Sequence, residues 1–342
     1  ALKKLGEAFG TTLRDGLRSR SLADEHSALN VFASPRRLGA RISHVKGRAA
    51  DERSEVNLMP VKVGFAGDEP TPPLHKKLAT LGVTFEDVRE DLHRQRAEGR
   101  EQLVLMRNVE GLSLAAGLQA ALEEALAKLP IPKVMQYQLH DGPDVDPGWT
   151  SVQFVRPAHG LVALHGADVV PVHTLGLQAG RATHGHRCEA AMDPVELQHA
   201  DHYERQLAEQ GAVIAGFAER RAEIERQLAA AARAAGEGLV PVQDDALLDE
   251  VTALVERPNV LTCQFEPEFL AVPPECLILT MKANQKYFPL LDAQGRLTHR
   301  FLVVSNIRPA DPRHIVQGNE RVVRPRLADA KFFFDQDRKR TL

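Results

Sequence analysis

Residues 281–307 read MKANQKYFPLLDAQGRLTHRFLVVSNI, and they determine the fold predicted for the second half of the chain. Two apolar and aromatic runs, Tyr287–Leu291 and Phe301–Ser305, have the composition of strands. The segment Asp292–Gly295 between them has Asp first and Gly fourth, which predicts a type I turn. With a further strand over Leu277–Met281, the sequence predicts a three-stranded antiparallel meander packed on the helices that precede it.

The beginning of this stretch is polar, with two lysines, an amide pair and a tyrosine. It contains no recognisable pair of nucleophile and base and no set of metal ligands. Elsewhere the chain has no phosphate-binding glycine loop, no dinucleotide-binding glycine motif, no nucleophile elbow and no C-x-x-C pair. The sequence therefore shows no motif that indicates an active site.

Composition describes an ordinary globular protein of 342 residues with a net charge of −3, so any contact with nucleic acid must come from a local patch. The three cysteines are far apart, which fits a reducing compartment better than a disulfide framework. No apolar run reaches the roughly 18 residues that a membrane span needs. The chain begins without Met and ends at RKRTL, and we expect it to be part of a longer protein.

Two regions are strongly basic. Residues 1–50 contain ten Lys/Arg and four Asp/Glu, and residues 296–342 contain eleven and five, so each region has a net charge of +6. In the first region Arg36 and Arg37 follow a Ser-Pro turn, where a guanidinium group suits phosphate oxygens. The alternative is a solvated turn.

The second basic region combines three arginines with the phenylalanines Phe332–Phe334. Arginine binds phosphates and aromatic rings stack on unpaired bases, so this combination is typical of RNA binding. The alternative follows from helical spacing: the phenylalanines then belong to the core, and the arginines pair with nearby aspartates. The residues concerned are Arg321, Arg324, Arg326, Asp329, Asp335 and Asp337.

The remaining pattern predicts an α+β fold of mixed helices and mainly antiparallel sheets. Apolar spacing predicts helices over 2–20, 194–236 and 246–255, and a helix capped by Ser113. Strands flank Ser34-Pro35, another covers 101–109, and a hairpin surrounds His165–Asp168. We expect an N-terminal α+β region over 1–135, an α+β domain over 150–310, and the start of a helical region over 311–342.

A metal site is conceivable only at His184, His186 and Cys188, which alternate and would share one face of a strand. A structural zinc site needs a fourth ligand, usually in a second short-spaced pair, and the other cysteines and histidines do not supply one. We therefore expect no metal site, and interpret the segment as a polar loop or edge strand.

Long blocks of the chain resemble the beta subunit of the bacterial tetrameric glycyl-tRNA synthetase, in the order of that family. The blocks are ASPRRLGARI (33–42), FVRPAHGLVALHGADVVPV (154–172), AGRATHGHR (179–187), LLDEVTALVERPNVLTCQFEPEFLAVPPECLILTMKANQKYF (247–288), FLVVSNI (301–307) and QGNERVVRPRLADAKFFFDQD (317–337). The chain departs from the family pattern at Arg257-Pro258, at Cys263-Gln264, at Cys188, at Tyr137 and over 59–75.

The resemblance implies a subunit that binds tRNA without catalysing the reaction, in the cytoplasm and in an alpha2beta2 assembly. It implies that the alpha subunit carries the catalytic core with ATP and Mg, that this chain holds no cofactor, and that the partners are that subunit and tRNA(Gly). It also implies a B3/B4-like domain here, followed by HD-type and anticodon-binding domains. The candidate tRNA contacts are Arg36, Arg37, Lys282, Lys286, Arg321, Arg324 and Arg326, with Asn284 and Gln285 as polar readers.

Two other functions stay open from the sequence. In a structural scaffold, the same motifs would be conformational joints, and the basic residues would form ion pairs. In an editing hydrolase that discharges misacylated tRNA, the candidates would be the His184–Cys188 segment and Asn284–Lys286. Glycine is the smallest amino acid, so a synthetase for glycine has fewer competing amino acids to exclude from its active site by size. Alanine and serine would still have to be kept out.

Overall fold

The computed structural model describes residues 2–97, 100–141 and 145–339, and within them it confirms an α+β fold with mainly antiparallel sheets. The described residues form ten α-helices. These are α1 (Leu2–Arg18), α2 (Val61–Gly64), α3 (Pro72–Thr80), α4 (Phe85–Val88), α5 (Leu114–Ala127), α6 (Tyr203–Glu209), α7 (Phe217–Ala235), α8 (Asp245–Thr252), α9 (Pro274–Thr280) and α10 (Arg313–Asp337).

Most of the described strands are short. They are β1 (Leu29–Ser34), β2 (Arg37–Ile42), β3 (Glu52–Pro60), β4 (Phe65–Ala66), β5 (Glu69–Pro70), β6 (Leu92–Ala97), β7 (Arg100–Val109), β8 (Met135–Gln138), β9 (Ser151–Phe154), β10 (Leu161–Val162), β11 (Leu164–His165), β12 (Asp168–Val169), β13 (His173–Thr174), β14 (Leu177–Gly180), β15 (Ala182–Thr183), β16 (Val195–Glu196), β17 (Val240–Pro241), β18 (Asn259–Gln264), β19 (Phe288–Leu291) and β20 (Leu297–Ser305). The larger sheets have the orders β17-β19-β20-β18 and β3-β7-β6.

Helices and strands with a clear apolar periodicity or a capping residue are found where the sequence predicts them. The Ser113 hydroxyl accepts a hydrogen bond from the Ala116 N–H and begins α5, and the Asp244 carboxylate begins α8 in the same way. The hairpin β11-β12 and the strands β1 and β2 on either side of the Ser-Pro turn are also confirmed.

The first core cluster forms where α1 packs on the β1-β2 hairpin and on α5. Glycines on α1 allow this close approach. A Cβ atom on Gly10 would lie 2.7 Å from a Val31 methyl group, and one on Gly16 would lie 2.9 Å from the Ala121 Cβ. Both positions are therefore occupied by the residue that has no side chain.

The stretch at 281–307 folds differently from its prediction in one respect. The expected strand over Leu277–Met281 is wrong: Leu277 belongs to α9, and Met281–Gln285 forms one turn of π-helix. Pro274 starts the helix, and Leu277 and Met281 are buried four residues apart on one helical face. A short apolar run such as CLILTM is compatible with either structure, and only the preceding prolines favour the helix.

The π-turn leads into the sheet through an unusual backbone conformation. Lys286 has a φ of 61°, in the left-handed region that non-glycine residues seldom occupy. It reverses the chain direction so that β19 can begin two residues later. β19 and β20 form the predicted antiparallel pair, and β18, not the 277–281 segment, is the second neighbour of β20.

Tyr287 joins this sheet to the last described helix. Its ring stacks on Phe301, with centroids 4.9 Å apart, and its hydroxyl donates a 2.7 Å hydrogen bond to the Asn319 side-chain oxygen on α10. Val323 and Leu327 of α10 are fully buried in the same cluster. The interpretation of Phe332–Phe334 as core is correct only for the half-buried Phe334, because Phe332 and Phe333 are 57% and 63% exposed.

A buried charge network holds the β1-β2 hairpin to helices α7 and α8. The guanidinium of Arg220 on α7 is fully buried, and it donates hydrogen bonds to five backbone carbonyls, of Ala33, Ile214, Ala215, Gly216 and Thr252, at 2.6–3.3 Å. Burial lowers the pKa of Arg220 to about 10, so it remains protonated at neutral pH. The nearby Glu256 carboxylate is 1% exposed, accepts a hydrogen bond from the Ser34 hydroxyl, and opposes the charge of Arg220.

We expect Arg220→Met to lower the free energy of unfolding by about 3–5 kcal/mol, because it leaves carbonyls without donors and a buried carboxylate without its counter-charge. Arg233→Met is the matched control, since Arg233 is exposed on the same helix and its replacement should cost less than about 0.5 kcal/mol. Urea unfolding followed by circular dichroism measures both. Equal midpoints for the two variants would contradict the role of Arg220.

A second prediction concerns Tyr287, since burial raises the pKa of its phenol to about 12. The unfolded value is about 10, so the folded protein favours the neutral phenol. Its contribution to stability is complete below pH 10 and is lost as the pH rises through 12. Tyr287→Phe should therefore lose less stability than the wild type between pH 9 and pH 11.

At neutral pH the same variant should be destabilised by about 1 kcal/mol, through loss of the hydrogen bond to Asn319. The difference between the two absorbance titrations at 295 nm isolates this phenol. A tyrosinate that appears near pH 10 in the difference curve would show that Tyr287 is not buried as described.

Candidate nucleic-acid interface

The polar end of the 281–307 stretch borders a small concavity of about 230 Å³. Gln285, Lys286 and Tyr287 line one side, Asn319 of α10 adds a further amide, and apolar side chains complete the lining. The π-turn and the left-handed Lys286 give this segment its curvature. π-turns are often found at functional sites. This one places the Gln285 amide and the Lys286 ammonium beside the depression that Asn319 of α10 also lines.

The two predicted lysines are paired with acidic side chains of α8. The Lys282 ammonium binds the carboxylate of Asp244, the residue that caps α8, and the Lys286 ammonium lies 3.0 Å from the Glu250 carboxylate. The hydrogen bond from Lys282 holds the pKa of Asp244 below its usual range. Both lysines therefore fix the π-turn to α8. Asn284 is exposed, and Gln285 is half-buried at the concavity.

The three predicted arginines of α10 are exposed but do not form one stripe. At 100° per residue, Arg321 and Arg324 are roughly 60° apart around the helix, whereas Arg326 is roughly 160° from Arg324. The Arg324 guanidinium lies 2.6 Å from the Glu266 carboxylate. Arg321 and Arg326 form no salt bridge with any residue that the structure describes. The predicted pairs with Asp329, Asp335 and Asp337 are not formed by these arginines.

Arg36 and Arg37 differ in their exposure and in their partners. The Arg37 side chain is 9% exposed, its Nε lies 3.5 Å from the Glu256 carboxylate, and it donates a hydrogen bond to the His184 carbonyl. Arg36 is exposed and forms no salt bridge with a described residue, although its charge contributes to lowering the pKa of Asp193. Of this pair, only Arg36 has a guanidinium that an external phosphate could reach without displacing a buried ion pair.

A much larger cleft of about 1880 Å³ runs between α1, α5 and β2 on one side and the 155–166 and 182–184 segments on the other. Its lining is mainly apolar. Five of its lining residues are cationic and one is acidic: Arg36, Arg37, Arg41, Lys133 and Arg156, against Asp201. Leu254, which is 56% exposed, borders both this cleft and the small concavity. Arg36 lines the cleft, Gln285 and Lys286 line the concavity, and Leu254 lies between the two depressions as a residue of both.

The histidine segment 184–188 is a loop after β15, which agrees with the prediction of a polar loop. The His184 ring lies 2.9 Å from the Asp193 carboxylate, and this hydrogen bond lowers the pKa of Asp193. His186 is buried and accepts a hydrogen bond from the Cys188 N–H, while Cys188 itself is exposed. Across the described residues, no three His, Cys, Asp or Glu side chains converge as metal ligands.

Sequence reasoning missed the residues that organise the site: Arg220, Glu256 and Asn319. One signal was available for Arg220, since it occupies the apolar stripe of α7 with Ile224 and Leu228. A charged residue on such a stripe indicates a buried, paired group. The cleft cations Arg41, Lys133 and Arg156 were also missed, because their proximity depends on tertiary structure. No helix among the described residues has the length and hydropathy required to cross a bilayer.

Comparisons with known proteins identify the family. A family model described as the glycyl-tRNA synthetase beta subunit matches residues 1–342. The chain is 65% identical over 343 residues to the glycine–tRNA ligase beta subunit of Leptothrix cholodnii and 64% identical over 344 residues to that of Paracidovorax citrulli. These matches cover all of the chain but only 47% and 48% of the two relatives, so it spans about half their length. The chain therefore belongs to the family of glycyl-tRNA synthetase beta subunits.

Proposed function

We propose that this chain is a non-catalytic, tRNA-binding part of the ligase, and that the alpha subunit catalyses the joining of glycine to tRNA(Gly). The exposed Arg36, Arg321 and Arg326 carry the proposal, because they form no salt bridge with any described residue. With a net charge of −3 overall, the chain attracts RNA only through such local groups. Phosphate contacts from arginine provide most of the sequence-independent affinity for nucleic acid.

The wider assembly follows from the same proposal. ATP and Mg act at the alpha subunit, the full-length chains form an alpha2beta2 complex in the cytoplasm, and this chain supplies surface for tRNA.

A structural scaffold is the second candidate function, and one observation favours it. Four of the seven predicted cations form salt bridges within the protein: Arg37, Lys282, Lys286 and Arg324. Their partners are acidic residues of other elements, which is the arrangement of conformational joints. In this reading tRNA is bound elsewhere in the full-length subunit.

The double variant Arg321→Glu/Arg326→Glu distinguishes the two functions. We expect it to weaken tRNA(Gly) binding to the full-length subunit roughly tenfold or more, because a hydrogen bond to a charged group contributes about 1.5–3 kcal/mol. The slope of log affinity against log salt should become shallower by about two. Fluorescence anisotropy at several salt concentrations measures both quantities.

Arg233→Glu is the control for charge reversal at another position, since Arg233 is exposed on α7 and is not one of the candidate residues. It reverses one charge where the double variant reverses two. It should leave the salt dependence within error of the wild type. If the double variant binds as tightly as the control at every salt concentration, α10 does not contact tRNA, and the scaffold function is favoured.

A further inference from the structure

The outer edge of β2 lacks a partner strand. β1 pairs with β2 along its whole length, from Leu29 opposite Ile42 to Ser34 opposite Arg37. On the other side of β2, the described part of the chain supplies no backbone hydrogen bond to residues 37–42. An unpaired strand edge is a template for another strand, and proteins normally cover it or shield it.

The side chains beside this edge belong to an incomplete core. All six residues of β2 are half-buried, and Leu38, Ala40 and Ile42 pack on the same cluster as α1 and α5. Several other members of that cluster are only partly covered, and they line the large cleft: Leu118, Leu126, Leu129 and Leu161. The cleft wall is therefore core-type surface, which in a stable protein is normally covered.

The dimensions suit a segment of polypeptide better than a small molecule. At about 1880 Å³ the cleft exceeds the 300–1,000 Å³ that is typical of small-molecule pockets. β2 offers six residues of edge, or roughly 20 Å. On the opposite wall β10 is itself an edge strand of its sheet. The two walls meet through Arg37 and the His184 carbonyl, and through the His165 ring and the Val45 carbonyl, which are 2.8 Å apart.

Charge and ring exposure indicate what kind of segment fits. The apolar lining requires apolar side chains. Of its five cations, Arg37 and Arg41 are paired with Glu256 and Glu204, and Arg36 is a proposed tRNA contact. The exposed Lys133 and Arg156 therefore favour acidic residues at the flanks of the segment. The phenylalanines of the lining do not favour an RNA strand, since Phe9 and Phe32 are only 7% and 3% exposed and offer no open face for base stacking.

We propose that the cleft receives an extended apolar segment with acidic flanks, which pairs with β2 as an added strand. Its source is the part of the full-length subunit outside these 342 residues, because the relatives are about twice as long as this chain. A segment of the same chain has a high effective concentration at the cleft and needs no partner to fill it. The inserted strand completes the first core cluster.

Hydrogen exchange of the isolated full-length subunit tests the added strand. In an open edge strand about half of the amides point outward and exchange fast, because successive N–H groups alternate between the two sides. We expect all amides of residues 37–42 to exchange at least on the order of tenfold more slowly than an open edge, and to resemble those of the central strand β20. Fast exchange of alternate β2 amides would overturn the proposal.

Photo-crosslinking identifies the occupant. The photoreactive residue p-benzoylphenylalanine replaces Val134, which lines the cleft and is 49% exposed, or Val63, which lies outside it and is 48% exposed. From position 134 we expect an intramolecular crosslink to an apolar peptide with Asp or Glu beside it, outside residues 1–342. The Val63 variant should not label that peptide.

Three results would contradict the assignment of the occupant. Crosslinks from position 134 only within residues 1–342 would mean that the cleft closes on itself. Crosslinked dimers would mean that a second copy fills it. Crosslinks or β2 protection that appear only after addition of the alpha subunit or tRNA would assign the cleft to that partner.

Discussion

The buried guanidinium of Arg220 is the interaction on which the arrangement of this protein depends. It joins three backbone segments that are far apart in sequence, the end of β1, the chain before α7 and the end of α8. Five carbonyl acceptors and the carboxylate of Glu256 compensate for the loss of hydration. A buried charge that is satisfied in this way is stable only in one geometry, because displacement of any segment leaves a polar group unpaired.

This network also sets the positions of the candidate RNA contacts. Glu256 holds Ser34 on one side of the Ser-Pro turn and Arg37 on the other, so the turn is fixed and Arg36 is left facing outward. The π-turn is positioned similarly by the pairs of Lys282 and Lys286 with α8. The cations in ion pairs thus hold the segments that carry the remaining polar groups. The basic residues of this surface are therefore of two kinds: those that position a segment of the chain and those that are available to bind a ligand.

Local signals in the sequence were sufficient for elements with caps, turns or long apolar periods, such as α1, α5, α8 and the β19-β20 pair. They failed for Leu277–Met281, where a short apolar run fits a helix and a strand equally well. They failed to predict that Phe332 and Phe333 are exposed. Helical spacing does not show which face of a helix packs against another part of the protein. The pairing of Arg37 with Glu256 joins residues 219 positions apart, and no periodicity reports on such a contact.

The hydrogen bond between Tyr287 and Asn319 makes the small concavity and the long helix α10 thermodynamically interdependent. Asn319 lines the concavity and also anchors the helix through the buried tyrosine. A ligand that competes for this amide would alter the free energy of docking α10, and any force that shifts α10 would alter the affinity of the concavity by the same factor. Ligand binding at the polar end of the 281–307 stretch is therefore coupled to the orientation of α10.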